Sequence, residues 1–259
     1  MTADDAPIIA VENLTARFGD VTIFQGVSFQ VRRGEILVIL GGSGCGKSTL
    51  LKHMIGLYHP AAGRVLIHGV DVNTKKEKEL NRLRMDVGVS FQGGALFGSM
   101  TVAENIALPL RVYTDLSKAD IDLIVKMKLA LVNLTGFDNH LPEELSGGMV
   151  KRVALARALA LDPTVLFFDE PSAGLDPVTA AELDLLILGL NAGMGTTMVV
   201  VTHELQSIFK IAHRVVMLDK SAKGLIAMGR PQELKEHSTD PRVLAFFNRQ
   251  PVSIAQKGT

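Results

Sequence analysis

The sequence predicts an α/β fold organised around a parallel sheet, and three observations carry that expectation. Short apolar runs, among them Ile36-Leu37-Val38-Ile39-Leu40 and Met198-Val199-Val200-Val201, have the length of buried strands. Segments with helical spacing lie between such runs, the alternation that builds a parallel sheet. A glycine-rich loop, Gly41 to Ser48, joins one run directly to a helix. With 259 residues, 47% of them hydrophobic, the chain can bury a large core.

Each element follows in turn. Ile8 to Phe18 reads as a strand closed by a turn at Gly19-Asp20, Val27 to Val31 as a second, and Ile36 to Leu40 as a third after a turn at Arg33-Gly34. The helix beyond the glycine loop carries Leu50, Leu51, Met54, Ile55 and Tyr58 on one face and is expected to stop near Pro60 and Gly63. Arg64 to His68 reads as another strand. From about residue 93 to 161 the pattern is mostly helical. Ser117 with Asp120 forms a capping-box-like start, followed at helical spacing by Ile121, Ile124, Val125, Leu129 and Val132. Strand character returns at Val165 to Phe168, Thr196 to Thr202 and Val215 to Leu218, with Leu183, Leu186, Ile187 and Leu190 as the buried stripe of an intervening helix. Asp240-Pro241 reads as a cap and first helical residue leading to Val243, Leu244 and Phe247. Phe246 and Phe247 are expected to cover the chain's own core, and the last ten residues to be loose.

Bulk properties narrow the function classes. Lys plus Arg and Asp plus Glu both number 27, so no net field recommends nucleic acid. The single cysteine, Cys45, excludes an internal disulfide. The acidic start Met1-Thr2-Ala3-Asp4-Asp5 lacks the basic-then-apolar order of a signal peptide. No apolar run approaches the roughly eighteen residues that span a bilayer. Work on a membrane therefore calls for another chain to bring this one there.

Gly41-Gly42-Ser43-Gly44-Cys45-Gly46-Lys47-Ser48, followed by Thr49, fits G-x-x-x-x-G-K-[ST] between an apolar strand and a helix. Backbone N–H groups in such a loop surround phosphates, Lys47 neutralises the β and γ oxygens, and Ser48 can ligate Mg2+. The rival dinucleotide fingerprint fails, because Lys47 rather than glycine stands three residues after Gly44. Val165 to Phe168 then Asp169-Glu170 reads as a buried strand ending in two carboxylates, which require partners. Asp169 would hold Mg2+ and Glu170 would polarise an attacking water. A second anion-ready feature is Leu145-Ser146-Gly147-Gly148-Met149, a helix start with a hydroxyl and two glycines whose first turn carries Lys151 and Arg152.

Taken together these motifs resemble the nucleotide-binding subunit of an ABC transporter over nearly the whole chain. The resemblance implies a P-loop NTPase core with a parallel sheet, an N-terminal antiparallel β-subdomain and an inserted α-helical subdomain at about 93–161. Residues 1–239 would be the nucleotide-binding domain and 240–259 a C-terminal segment open to a dimer or partner contact. Leu145 to Gly148 resembles the family signature, which meets the γ-phosphate held by a second copy, so Ser146, Gly147, Gly148 and Met149 would act in trans. Gln92 matches the glutamine that senses Mg2+ and the transmembrane partner, Asp176 the D-loop aspartate in Ser172-Ala173-Gly174-Leu175-Asp176, and His203 the switch histidine. Phe18 falls where an aromatic stacks on adenine. ATP with Mg2+, a head-to-tail second copy, permease subunits and the cytoplasmic face of an inner membrane follow from the same likeness, with no nucleic acid.

A finer likeness rests on Met149 where glutamine is usual, on Gln92-Gly93-Gly94-Ala95-Leu96-Phe97, Met127-Lys128-Leu129 and Asp240-Pro241-Arg242-Val243. These resemble the ATPases of Mla-type, MCE-associated phospholipid transporters, implying an MCE-domain partner, although the D-loop has the general ABC form. The alternatives are an ABC transporter of another substrate and a soluble ABC scaffold. A P-loop kinase would leave Ser146 to Gly148 and His203 without a role. Cys45 reads either as a thiol activated by its helix N-terminus or as a small residue tolerated there. His53, His59, His68, His140, His213 and His237 show no ligand spacing.

Overall fold

The computed structural model describes residues 6–250. Strand β1 (Ile9–Phe18) pairs antiparallel with β2 (Val21–Val31) on one side and β4 (Ala62–Ile67) on the other, and β5 (Val70–Asp71) completes a four-stranded sheet ordered β2-β1-β4-β5. Strand β2 begins six residues before the expected Val27. A left-handed Gly26 and register shifts against β1 interrupt the alternation that would have revealed its first half. The last nine residues, expected to be loose, lie outside the described part of the chain.

The second sheet has six strands in the order β10-β9-β3-β8-β7-β6. Five of them run parallel: β3 (Ile36–Gly41), β6 (Val87–Ser90), β7 (Val165–Asp169), β8 (Thr197–Val201) and β9 (Arg214–Asp219). The expected parallel sheet thus gains an antiparallel edge, β10 (Gly224–Gly229), hairpinned onto β9. Every residue of β3, β7 and β8 is buried. Alternation splits them between two cores. Ile36, Val38 and Leu40 face the helical side, and Leu37 and Ile39 face the antiparallel sheet and the first helix. Each such aliphatic side chain contributes about 1.5–3 kcal/mol by leaving water.

Helix α1 (Lys47–Met54) follows the glycine loop. It stops a turn earlier than its apolar face suggested. Gly56 takes φ +72°, and a Cβ there would lie 2.7 Å from the Val72 carbonyl oxygen. Helix α2 (Glu77–Asp86) is polar, burying only Leu83, and leads into β6. The helical lobe comprises α3 (Val102–Tyr113), α4 (Lys118–Leu131), a 3-10 turn at Pro142–Glu144 and α5 (Gly147–Ala158). Thr101 and Glu104 close a capping box on α3. On α4 the Asp120 side chain is too short to reach back to the backbone and takes the Ser117 hydroxyl instead, so only half of the expected box forms. The remaining helices are α6 (Pro177–Met194), α7 (Leu205–Ile211), α8 (Pro231–His237) and α9 (Pro241–Phe247). Asp240 caps α9, and Val243 and Phe247 bury into the larger core beside Phe209.

Candidate functional site

The loops carrying the glycines, Gln92, Asp169-Glu170 and His203 leave the carboxyl ends of the parallel strands, where ligands collect in such sheets. After β3 the chain enters Gly41–Gly46 and turns into α1. Gly41 and Gly46 are glycine by necessity. Both have positive φ, and a Cβ would lie 2.3 Å from the Leu218 carbonyl oxygen at the first and 2.8 Å from Ile23 at the second. Gly42, Ser43 and Gly44 are exposed. With the unpaired N–H groups of the first turn of α1 they form an anion cradle. Lys47 Nζ folds back over the loop and donates to the carbonyls of Gly41 (3.0 Å) and Gly42 (3.2 Å), holding a positive charge at the cradle's mouth. Thr49 is half-buried, and its carbonyl engages His53.

Strand β7 carries the carboxylates to the same place. Ser48 Oγ donates to Asp169 at 2.9 Å, joining two of the three expected Mg2+ ligands, the third being Gln92. Glu170 sits just past the strand with φ +49°, a strained conformation for a residue with a Cβ. Its Oε1 meets His203 Nδ1 at 2.9 Å, while its Oε2 is buried without a partner. An orphaned carboxylate oxygen costs free energy unless a water or ligand proton reaches it. His203 itself is exposed at the end of β8.

Among the described residues no group of histidines, cysteines and carboxylates could hold a metal ion by itself. One hydroxyl and one carboxylate are what Mg2+ needs when substrate phosphates supply further oxygens, so the donor set fits that ion. Gln92 lies just beyond β6, the strand beside β7, and its backbone carbonyl accepts from Lys151 Nζ.

Lys151 and Arg152 overturn one expectation. They fall in the second turn of α5 and turn inward rather than toward an anion. Besides Gln92, Lys151 reaches the Glu170 carbonyl at 3.5 Å, and burial pulls its pKa down. Arg152 pairs with Glu182 and the Val132 carbonyl. Arg157, one turn further along α5, donates to the carbonyls of Gly94 and Ala95. Lys151 and Arg157 therefore clamp the Gln92 loop, and the sequence carries no sign of this because their acceptors are main-chain carbonyls.

The chain does not bring every expected site residue together. A cleft of about 530 Å³ is lined by Gly41 to Gly44, Lys47, Glu170 and His203, and also by Leu205, Phe246 and Arg249. Ser146 to Met149 are not on its wall. Ser146 caps α5, accepting from the Met149 N–H at 3.3 Å, while Gly148 packs against Thr179 at the start of α6. Ser146 and Gly147 face outward, and the Met149 side chain rests on the main core. Asp176 caps α6 through the N–H groups of Val178 and Thr179, and the bond from the Thr179 hydroxyl, with these caps, lowers its pKa. Phe18 is 48% exposed and edge-on to Tyr58, away from the cleft wall. Cys45 is buried, and burial pushes its thiol pKa up, so the activated-thiol reading is wrong. His53 and His213 are structural, the latter accepting from the Ile36 N–H.

These features define a P-loop ATPase. The chain belongs to the ABC transporter family, whose model matches residues 24–173, and it is an ATPase of that type. It is 44% identical over 240 residues to the probable ribonucleotide transport ATP-binding protein mkl of Mycobacterium tuberculosis, covering 93% of this chain but 66% of that protein. It is 39% identical over 244 residues to the intermembrane phospholipid transport system ATP-binding protein MlaF of Escherichia coli, covering 94% and 89%. Among solved structures, the ATP-binding cassette MJ0796, a dimer in a post-hydrolysis state with ADP and Pi, superposes with a TM-score of 0.77 at 31% identity over 86% of this chain and 98% of that one. The cassette cbiO1 of Clostridium perfringens, part of the transporter complex cbiONQ, gives 0.81 at 29% identity over 93% and 95%.

Proposed function

We propose that this chain hydrolyses ATP to power phospholipid transport between the inner and outer membranes, working as a head-to-tail pair beneath a permease with an MCE-domain protein. The observation that carries the paired mechanism is the outward-facing Ser146-Gly147 helix start, which has no access to its own chain's cleft. A second copy would present that start to the γ-phosphate held over Gly41 to Lys47. Glu170 Oε2 accepts the proton of the water that attacks the γ-phosphorus, the bond to the β–γ bridging oxygen breaks, and ADP leaves with that electron pair. His203 orients Glu170 and reads the γ-phosphate. Ser48, Asp169 and the Gln92 side chain would hold Mg2+, which would neutralise the phosphate oxygens. Phe18 would take the adenine and Asp176 the dimer seam.

No helix among the described residues is long and apolar enough to cross a membrane. A permease at the cytoplasmic face is therefore the proposed anchor. A groove of about 500 Å³, lined by Leu57, Val89, Phe91 and Tyr113 together with the polar His59, Asn73, Thr74 and Arg84, is the proposed seat for one of its cytoplasmic segments. The phospholipid assignment is supported by the MlaF relatives, which this chain matches along about nine-tenths of their length. The second reading, nucleotide transport, draws on the mycobacterial relatives, whose length the chain spans only about two-thirds of. Reconstitution of the chain with its permease decides between them. Transfer of labelled phospholipid to acceptor vesicles, dependent on ATP and lost in Glu170→Gln, is the expected result; ribonucleotide uptake without lipid transfer would overturn it.

A further inference from the structure

The cleft wall holds a residue that no part of the ATPase motif set includes. Arg249 follows α9, far from the glycine loop in sequence, yet it lines the same cleft as Gly41 to Gly44, Lys47, Glu170 and His203. Its placement is fixed. Arg242 anchors the start of α9 to Asp219 (2.9 Å) and Ser221 (3.3 Å) at the end of β9, and Phe247 packs on Phe209 with ring centroids 5.6 Å apart. The helix then closes with the Gln250 N–H bonded to the Ala245 carbonyl and the Arg249 N–H to the Phe246 carbonyl. This is the Schellman closure, which places Arg249 in the left-handed region at φ +53°. Glycine or asparagine is the usual occupant of that position, because a Cβ there is strained. Among the described residues the Arg249 guanidinium makes no hydrogen bond and no ion pair, so no polar contact with those residues compensates for the strain.

The charge balance of the cleft shows what such a side chain can do. Lys47 is the other fixed cation on the wall, and the Glu170 carboxylate opposes it. A triphosphate entering this cleft brings several negative charges against a wall with no net positive charge unless Arg249 is counted. Glu170 and His203 mark the end of the cleft where the terminal phosphate would lie. We infer that Arg249 is a ligand of the nucleotide's terminal phosphate, contributed by the C-terminal segment of the chain that holds the nucleotide. Its planar fork suits two phosphate oxygens at once. The C-terminal segment would then report to the rest of the chain whether ATP or ADP is bound.

This inference rests on the cleft being the nucleotide's phosphate site, and the two can fail separately. Equilibrium binding of ATP and ADP is measured on the full chain with Arg249→Gly, Arg249→Lys and Lys47→Ala. Glycine is the residue the backbone prefers at this position, so Arg249→Gly should keep or raise the melting temperature. It should weaken ATP roughly tenfold, the loss of a charge-assisted hydrogen bond, and leave ADP within about twofold. Arg249→Lys should recover part of the ATP affinity. Unchanged ATP affinity in Arg249→Gly, or equal loss of ATP and ADP, would overturn the inference. Unchanged binding of both nucleotides in Lys47→Ala would instead overturn the assignment of the cleft.

Discussion

Glu170 has two unfavourable features at once: a left-handed backbone and a buried carboxylate oxygen without a partner. Both fall on the residue proposed to receive a proton from water, and strain concentrated at a reacting group is common in enzymes. Cys45 is the opposite case. The motif position and the helix N-terminus beside it suggest reactivity, but 2% exposure and a raised pKa leave the thiol protonated and out of reach. Native protein at pH 8 should therefore resist iodoacetamide and take up a single equivalent once unfolded, as read by intact mass. Rapid labelling of folded protein would show that the loop opens. Lys47 and Ser48 were legible in the sequence because the glycine loop fixes their spacing around a phosphate, and Asp169 and Glu170 because they end an apolar strand. Arg249 was not, because its approach to the loop is set by where α9 lands on β9 and α7. The inward turn of Lys151 was hidden for a related reason: its acceptors are backbone carbonyls that look alike in any sequence.

At the scale of elements, legibility followed burial pattern. The strands β3, β7 and β8 are apolar throughout and were plain, as was the cap of α9. Helix α2 was missed because it buries one residue in ten and so has no periodic stripe, and the four-residue β6 behind it was lost with it. The serine-capped helices offer a test that separates fold from function. Ser117 and Ser146 make the same bond to the third N–H of α4 and α5, at 3.2 and 3.3 Å. Replacing either by alanine should cost about 0.5–2 kcal/mol. In a domain of this size each kcal/mol lowers the melting temperature by about 2–4 °C. Both variants should melt alike, but only Ser146→Ala should lose ATP turnover, by tenfold or more when a phosphate contact goes with the cap. Equal turnover in the two would mean that Ser146 is a cap and nothing else.

At the scale of the whole molecule, one chain holds a complete phosphate cradle and, on a different face, an exposed helix start suited to an anion. A head-to-tail pair satisfies both, since each γ-phosphate then bridges two chains and ATP favours the closed pair by its differential affinity. Glu170→Gln removes the proton acceptor but keeps the side chain's shape and the phosphate cradle. It should bind ATP normally, slow hydrolysis at least a hundredfold and migrate as a dimer in Mg-ATP by sedimentation velocity, returning to monomer in ADP. Adding Gly147→Asp tests the bridge itself. A Cβ at Gly147 meets nothing nearer than Leu175 at 3.9 Å, and a carboxylate in the first turn of α5 favours the helix dipole, so the fold is retained. In the proposed head-to-tail pair the same carboxylate would face the phosphate of the opposing chain across the seam, where like charges repel. The double variant should keep the ATP affinity of Glu170→Gln, because its own cradle is untouched, and remain monomeric at every ATP concentration. A dimer that persists in the double variant would place the signature helix away from the nucleotide and require a different seam between the two copies.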